Sequence, residues 1–245
     1  GDTSSADSAD ATDAPDTTDT QDTELGPYPD PGAWPENAGP GGPSTSFTDD
    51  ELYHNCAFLD GGENDLDHHN LVVMYDGYLV MPWAHEAGGV QLDSAGGLTF
   101  FDISDPCDPE VAGTGESELM RETHSIGFAH IDGRRWAVVN QSDAVTEGGI
   151  QFWDITDTSA PEAVSHVDVD GFLYPDAYAR IIFSVFWQGE YVYAAGSENG
   201  IYIIDASDPE NPTVVNQYKV EPVVQLGQVQ VIGNLLISAT SEGTR

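Results

Sequence analysis

The sequence predicts an all-β chain of repeated four-stranded antiparallel units, and three observations carry that prediction. The stretch Gly96-Gly97-Leu98-Thr99-Phe100-Phe101-Asp102-Ile103-Ser104-Asp105-Pro106 returns as 148–158 and again as 199–209. Its aspartates, Asp102, Asp154 and Asp205, lie 52 and 51 residues apart, and Pro109, Pro161 and Pro212 follow at the same offset. A fixed period of this size means one supersecondary unit copied along the chain. Upstream of each copy, Asp76-Gly77, Asp132-Gly133 and Gln188-Gly189 recur 56 residues apart between two apolar runs, as hairpin turns do. No segment with a helical period competes.

The elements of a unit follow in order. The runs before the turns, 71–75, 126–131 and 181–187, and after them, 78–83, 136–139 and 191–195, are short and rich in β-branched and aromatic residues, as strands should be. The repeated motif supplies a third strand, apolar on both faces at Phe100-Phe101, Phe152-Trp153 and Ile203-Ile204, so neighbouring sheets must cover both sides. A weaker fourth run follows the Ser/Thr-Asp turn at 164–169 and 213–220. A meander of about fifty residues is the size of a β-propeller blade. The blades span about 68–120, 121–175 and 176–220, with a partial one at 221–245, inside a propeller domain at 49–245. About three and a half blades are therefore expected, as in a fragment of a larger propeller, since propellers close with roughly four to eight. An unclosed arc would expose sheet edges and apolar faces.

The pattern Gly-Gly-Leu/Ile-x-Phe/Ile-aromatic/Ile-Asp-Ile/Ala-Ser/Thr-Asp-Pro resembles the LVIVD repeat of extracytoplasmic β-propeller proteins from bacteria and archaea. Three copies match, covering about 68–220; the middle copy has Thr158 in place of proline, which leaves its turn type open. The resemblance implies a propeller fold and a cell-surface setting more than a chemistry.

Residues 1–48 hold 10 acidic residues, no Lys or Arg, and an aspartate triplet rhythm at Asp7, Asp10, Asp13, Asp16, Asp19 and Asp22, then a Pro/Gly stretch. Such a segment cannot bury enough apolar surface to offset its ordering entropy, so it reads as a disordered acidic linker. It is either a plain solvated tail or a stalk: Gly1-Asp2-Thr3-Ser4 is similar to the start of a mature bacterial lipoprotein just after its acylated cysteine. The expected setting is extracytoplasmic, as an outer-membrane lipoprotein, a cell-surface protein or a secreted one, with membrane contact only through a lipid anchor. The whole chain carries 6 basic against 43 acidic residues, a net charge of −37, which repels nucleic acid and anionic headgroups.

Candidate site residues come from blade geometry. The starts of first strands and the loops after second strands share one face of the disc, bringing His68, His69, His124 and Arg180 toward the channel, joined by His85-Glu86, Ser142-Asp143, Glu147 and Glu198. His69, His85, His124 and Arg180 are the ligand-binding candidates, and His69, His85 and His124 are the transition-metal candidates, since imidazole suits such metals. The spacing matches no His-x-His or His-Glu-x-x-His pattern, and polar channel lining is the competing account. The acidic loop at 60–67, with Asp60, Asn64, Asp65 and Asp67, offers oxygen ligands for Ca²⁺ without EF-hand spacing, and is too polar for a strand. Cys56 and Cys107, 51 residues apart in an exported chain, form a candidate disulfide. The repeated aspartates read as turn acceptors rather than acid/base groups.

Two function classes remain. One is a non-enzymatic binding or adhesion scaffold that takes a protein or carbohydrate surface partner through its loop-rich face, with exposed aromatics such as Trp83 and Tyr178. The other is a metal-dependent propeller enzyme of oxidase or lyase type with His69, His85 and His124 at the channel mouth. The sequence leans toward the first and assigns no cofactor with certainty, Ca²⁺ and a transition metal being the two candidates.

Overall fold

The computed structural model describes residues 67–68, 71–85, 96–120, 123–141, 147–173, 184–219, 221–241 and 243–244, with backbone only at a few strand ends. The chain divides into compact units at 1–54 and 55–245, and all described residues lie in the second. They contain no helix.

Hairpin chemistry builds four antiparallel sheets. Sheet 1 comprises β1 (Asp67–His68), β2 (Val73–Tyr75), β3 (Tyr78–His85), β4 (Gly96–Asp102) and β5 (Glu110–Ser117). Sheet 2 is β6 (Ile126–Ile131), β7 (Arg134–Gln141), β8 (Glu147–Asp154) and β9 (Glu162–Leu173). Sheet 3 is β10 (Ser184–Gln188), β11 (Tyr191–Ala195), β12 (Ile201–Asp205) and β13 (Thr213–Tyr218). Sheet 4 is β14 (Leu226–Ile232), β15 (Leu235–Thr240) and β16 (Gly243–Thr244). Sheets 2 to 4 run in sequence order, as meanders do; in sheet 1 both β1 and β2 pair with β3. The same register shift recurs between third and fourth strands, at Phe100/Phe101, Phe152/Trp153 and Ile203/Ile204.

Three expectations are corrected. Asp67 is not in a loop: β1 pairs it with His85, and backbone pairing at a sheet edge tolerates a polar side chain. Glu147 opens β8 opposite Leu173 instead of lying in the preceding loop. The third hairpin turn is Gly189-Glu190, because Gln188 pairs with Tyr191. Its Gly189 takes φ 60° at the first turn position, whereas Asp76 (φ 49°) and Gly77 (φ 85°) are both left-handed, so the repeats use different two-residue turns.

Third strands are covered on both faces, as their composition requires. Trp136, Val138, Ile150 and Phe152 pack against Val185, Trp187, Val192 and Tyr202 of sheet 3. The neighbours Ala137, Val139 and Trp153 turn the other way, onto Val80, Leu98 and Phe100 of sheet 1. Sheet 3 then meets sheet 4 through Ala195, Ile201, Leu226, Val229 and Val231. The first strands β6, β10 and β14 lie together on the inner side and the fourth strands β5, β9 and β13 on the outer side, the arrangement of propeller blades. Exposed apolar side chains occur on sheet 1 (Val72, Met74), on sheet 3 (Val214, Val215, Tyr218) and on sheet 4 (Ile232, Leu235).

Small residues and hydroxyls lock one blade to the next. A Cβ on Gly115 would lie 2.1 Å from the Pro161 carbonyl oxygen and one on Gly113 2.4 Å from that of Thr158, so β5 can approach the sheet 2 turn only as glycine. Trp83 is not an exposed aromatic: it is 1% accessible, its ring lying where a Gly97 side chain would be.

Candidate functional site

Each sheet has a turn end, carrying its hairpin and, in sheets 1 to 3, the Ser/Thr-Asp turn, and a loop end, where second strands finish. At the turn end the repeated aspartates are fully employed. The carboxylate Oδ1 of Asp102, Asp154 and Asp205 accepts the N–H of Ser104, Thr156 and Ser207 at 2.8, 2.8 and 3.0 Å. Asp105, Asp157 and Asp208 accept from Cys107, Ser159 and Glu210 at 3.0, 3.0 and 3.1 Å. The middle copy makes the same turn despite Thr158, with Ala160 N–H on the Asp157 carbonyl at 3.0 Å, as Asp108 bonds Asp105. The N–H of Ser104 holds the Asp102 carboxyl below its usual range, and that of Ser207 does the same for Asp205. For Asp154, burial pushes upward but the Thr156 and Arg134 bonds outweigh it and the net shift is down.

Arginines tie this end across blades. Arg134 bonds Asp154 of its own sheet through Nε at 3.0 Å and Glu210 of sheet 3 through Nη1, with its guanidinium 4.3 Å from the Trp136 ring centroid. Arg135 reaches back to Asp76 of sheet 1 at 2.9 Å. Between sheets 3 and 4 the Gln188 carboxamide accepts the Gly233 N–H at 2.9 Å and donates to its carbonyl at 3.0 Å. The turn end is thus bonded into a rim.

The loop end holds the sequence-derived candidates that the structure describes. β1 places His68 opposite Ala84 and Asp67 opposite His85, so these three polar residues share the loop end of sheet 1. His124 precedes β6 and is half-buried; its backbone N–H and that of Ser125 both donate to Asn140 Oδ1, at 2.8 and 2.9 Å. Asn140, wholly buried at the end of β7, fixes the entry of this segment, and Thr123 Oγ1 donates to its carbonyl at 3.2 Å. At the junction of sheets 3 and 4, Gln225 Nε2 donates to Glu198 Oε1 at 3.4 Å, and the Leu226 N–H meets the Ser197 carbonyl at 3.2 Å. His69, Arg180, Tyr178, Glu86, Ser142, Asp143 and the calcium-loop residues Asp60, Asn64 and Asp65 lie outside the described residues. Among the described residues no group of three or more His, Cys, Asp or Glu side chains could hold a metal ion. Cys107 is disulfide-bonded; Cys56, the chain's other cysteine, lies outside the described residues.

Asn140, Ser197 and Ser241 escaped sequence reading because neutral side chains carry no motif. Glu198, in the loop after a second strand, pointed to the region.

The LVIVD repeat family model matches residues 182–220. No curated protein matches the chain. Among solved structures, the computationally designed Ika4 protein is similar at 11% identity and a TM-score of 0.48, over 75% of this chain and 92% of that one. An α-L-arabinofuranosidase from Lactobacillus brevis (12% identity, TM-score 0.41) aligns over 69% of this chain and 63% of its own length. The periplasmic gluconolactonase of Pseudomonas aeruginosa (12% identity, TM-score 0.39) aligns over 66% and 62%. The chain spans less than two thirds of either enzyme, and likenesses this distant say nothing of its chemistry. The motif, the stacked four-stranded sheets and the family match converge: this is a β-propeller chain carrying an LVIVD repeat at residues 182–220.

Proposed function

We propose that the chain is a non-enzymatic binding scaffold, displayed extracytoplasmically at a cell surface or secreted, whose loop end recognises a protein or carbohydrate partner. The observation that carries this reading is the fate of the repeated carboxylates. All six are acceptors in turn hydrogen bonds, and those of Asp102, Asp154, Asp157 and Asp205 are held below their usual range, which keeps them ionised at neutral pH and unsuited to proton donation. The repeat therefore serves architecture, and what differs between blades is the loop end. The net charge of −37 favours neutral or basic partners over nucleic acid and anionic lipid.

Co-sedimentation of the purified chain with washed bacterial cell-envelope fragments tests the reading. The wild type is expected in the pellet; Glu198→Arg with Gln225→Arg, at the loop end, stays in the supernatant, and Asp108→Lys, at the turn end, pellets like wild type. Failure of the wild type to pellet, or equal loss in both variants, contradicts it.

A further inference from the structure

Four departures from regular sheet meet at the loop-end junction of sheets 3 and 4. Ser197 sits in the left-handed region at φ 49°, uncommon for a residue with a Cβ. It forms a solitary bridge to Leu226, outside the main ladders. β14 loses register between Leu226 and Val229, and bulges of this kind re-aim side chains beside binding sites. Gly227 lies within that irregularity, and a Cβ built on it meets no atom within 4 Å.

The same junction encloses a surface cleft of about 350 Å³, lined by Ser197 with Gln225, Leu226, Gly227, Ala239 and Ser241. Ser197 is 1% accessible, and among the described residues its hydroxyl has no hydrogen-bond partner, while its oxygen is not fully closed off from solvent. A hydroxyl in this state is free to donate to and accept from a ligand or water entering the cleft.

We propose that this cleft binds the neutral, hydroxyl-rich end of a carbohydrate. The inference rests on the loop-end reading above and names its ligand class. Ser197 and Ser241 offer hydroxyls and Gln225 a carboxamide, groups that both donate and accept, as adjacent sugar hydroxyls do. Glu198, bonded to Gln225 at 3.4 Å, adds a carboxylate acceptor at the rim. Ala239 gives a small exposed apolar surface for a C–H face. The lining is uncharged, which cages neither a cation nor an anion, and the charge of the whole chain disfavours anions further. The volume falls within the range of small-molecule sites.

The test is saturation-transfer difference NMR on the full chain. Its probes are the methyl glycosides of glucose, galactose, mannose and N-acetylglucosamine, with lysine methyl ester and inorganic phosphate for the charged classes. Gly227→Leu fills the cleft where the backbone leaves room, and Ser197→Gly removes the hydroxyl while suiting the left-handed φ; circular dichroism and thermal unfolding confirm that both fold. At least one glycoside is expected to respond with the wild type, with the response lost in Gly227→Leu and weakened in Ser197→Gly. The proposal is overturned if no glycoside responds, if the response survives Gly227→Leu, or if only a charged probe responds. Wild-type envelope binding that persists without any glycoside response sinks the cleft and keeps the loop-end reading; loss of both sinks both.

Discussion

The hydroxyl of Ser184 accepts the backbone N–H of Val229 at 3.2 Å and donates to the carbonyl of the same residue at 3.4 Å, joining two blades through one side chain. Ser125 does the same to Val185, accepting at 3.0 Å and donating at 3.4 Å. A serine thus stands in for a strand partner where first strands converge. Ser184→Ala deprives the buried amide of Val229 of its acceptor and is expected to cost about 1–3 kcal/mol. Urea unfolding measures the loss and hydrogen exchange at the Val229 amide localises it. An unchanged midpoint would show that the bond is dispensable.

Gly115 and Gly113 make the corresponding contact at the outer strands. Gly115→Ala puts a methyl 2.1 Å from the Pro161 oxygen and 2.9 Å from the Trp153 ring, against backbone that cannot swing away. Overpacking of this kind costs about 1–3 kcal/mol. Gly227→Ala, where nothing stands within 4 Å, is the control and should leave the unfolding midpoint in place.

Much of this architecture was legible in the sequence. Third strands apolar on both faces required sheets on either side, and Phe152 and Trp153 do face opposite neighbours. The turn aspartates declared themselves by recurring at one place beside serine, aspartate and proline. What stayed hidden depends on residues that meet only in three dimensions. Ser184 and Val229 are 45 positions apart and Ser125 and Val185 are 60 apart, so no local pattern marks them. Trp83 looked like a surface aromatic because its burial depends on Gly97 in the paired strand. The third turn differs by one residue from the sequence expectation because Gly189 serves a turn with glycine first, as Gly233 does in sheet 4, where sheets 1 and 2 place glycine second. The Ser197 cleft arises from a bridge between sheets and a bulge, neither of which leaves a sequence signature.

Arg134 joins sheets 2 and 3 through two carboxylates, but its side chain is 39% exposed, so solvent screens the pairs. Arg134→Met keeps the packing over Trp136 and removes the charge. The expected loss is about 0.2–1 kcal/mol per pair in dilute buffer, shrinking toward zero near 1 M salt, where the Debye length is about 3 Å. Paired urea titrations at the two ionic strengths check it; a salt-independent loss would mean that the guanidinium's hydrogen bonds or its contact with the Trp136 ring, not the screened ion pairs, are at stake.

Acid should weaken the turns in a defined direction. The N–H and hydroxyl of Ser207 hold the Asp205 carboxyl below its usual range, and Ser104 does so for Asp102. A carboxyl whose folded value is depressed stabilises fully above the unfolded value of about 3.9, and the contribution disappears as pH falls below it through the folded value. The gap in unfolding midpoint between wild type and Asp205→Ala is therefore expected to be widest at neutral pH and to narrow below about pH 4. A gap that is constant with pH would show that the carboxylate's charge is not involved.

The central claim, a binding scaffold rather than a metal enzyme, is tested most directly by elemental analysis of the chain purified without affinity metal, beside a His69→Ala/His124→Ala double variant. The expected result is no stoichiometric transition metal in either protein. A transition metal bound one-to-one in the wild type and lost in the double variant would contradict the account and make the loop end a metal centre.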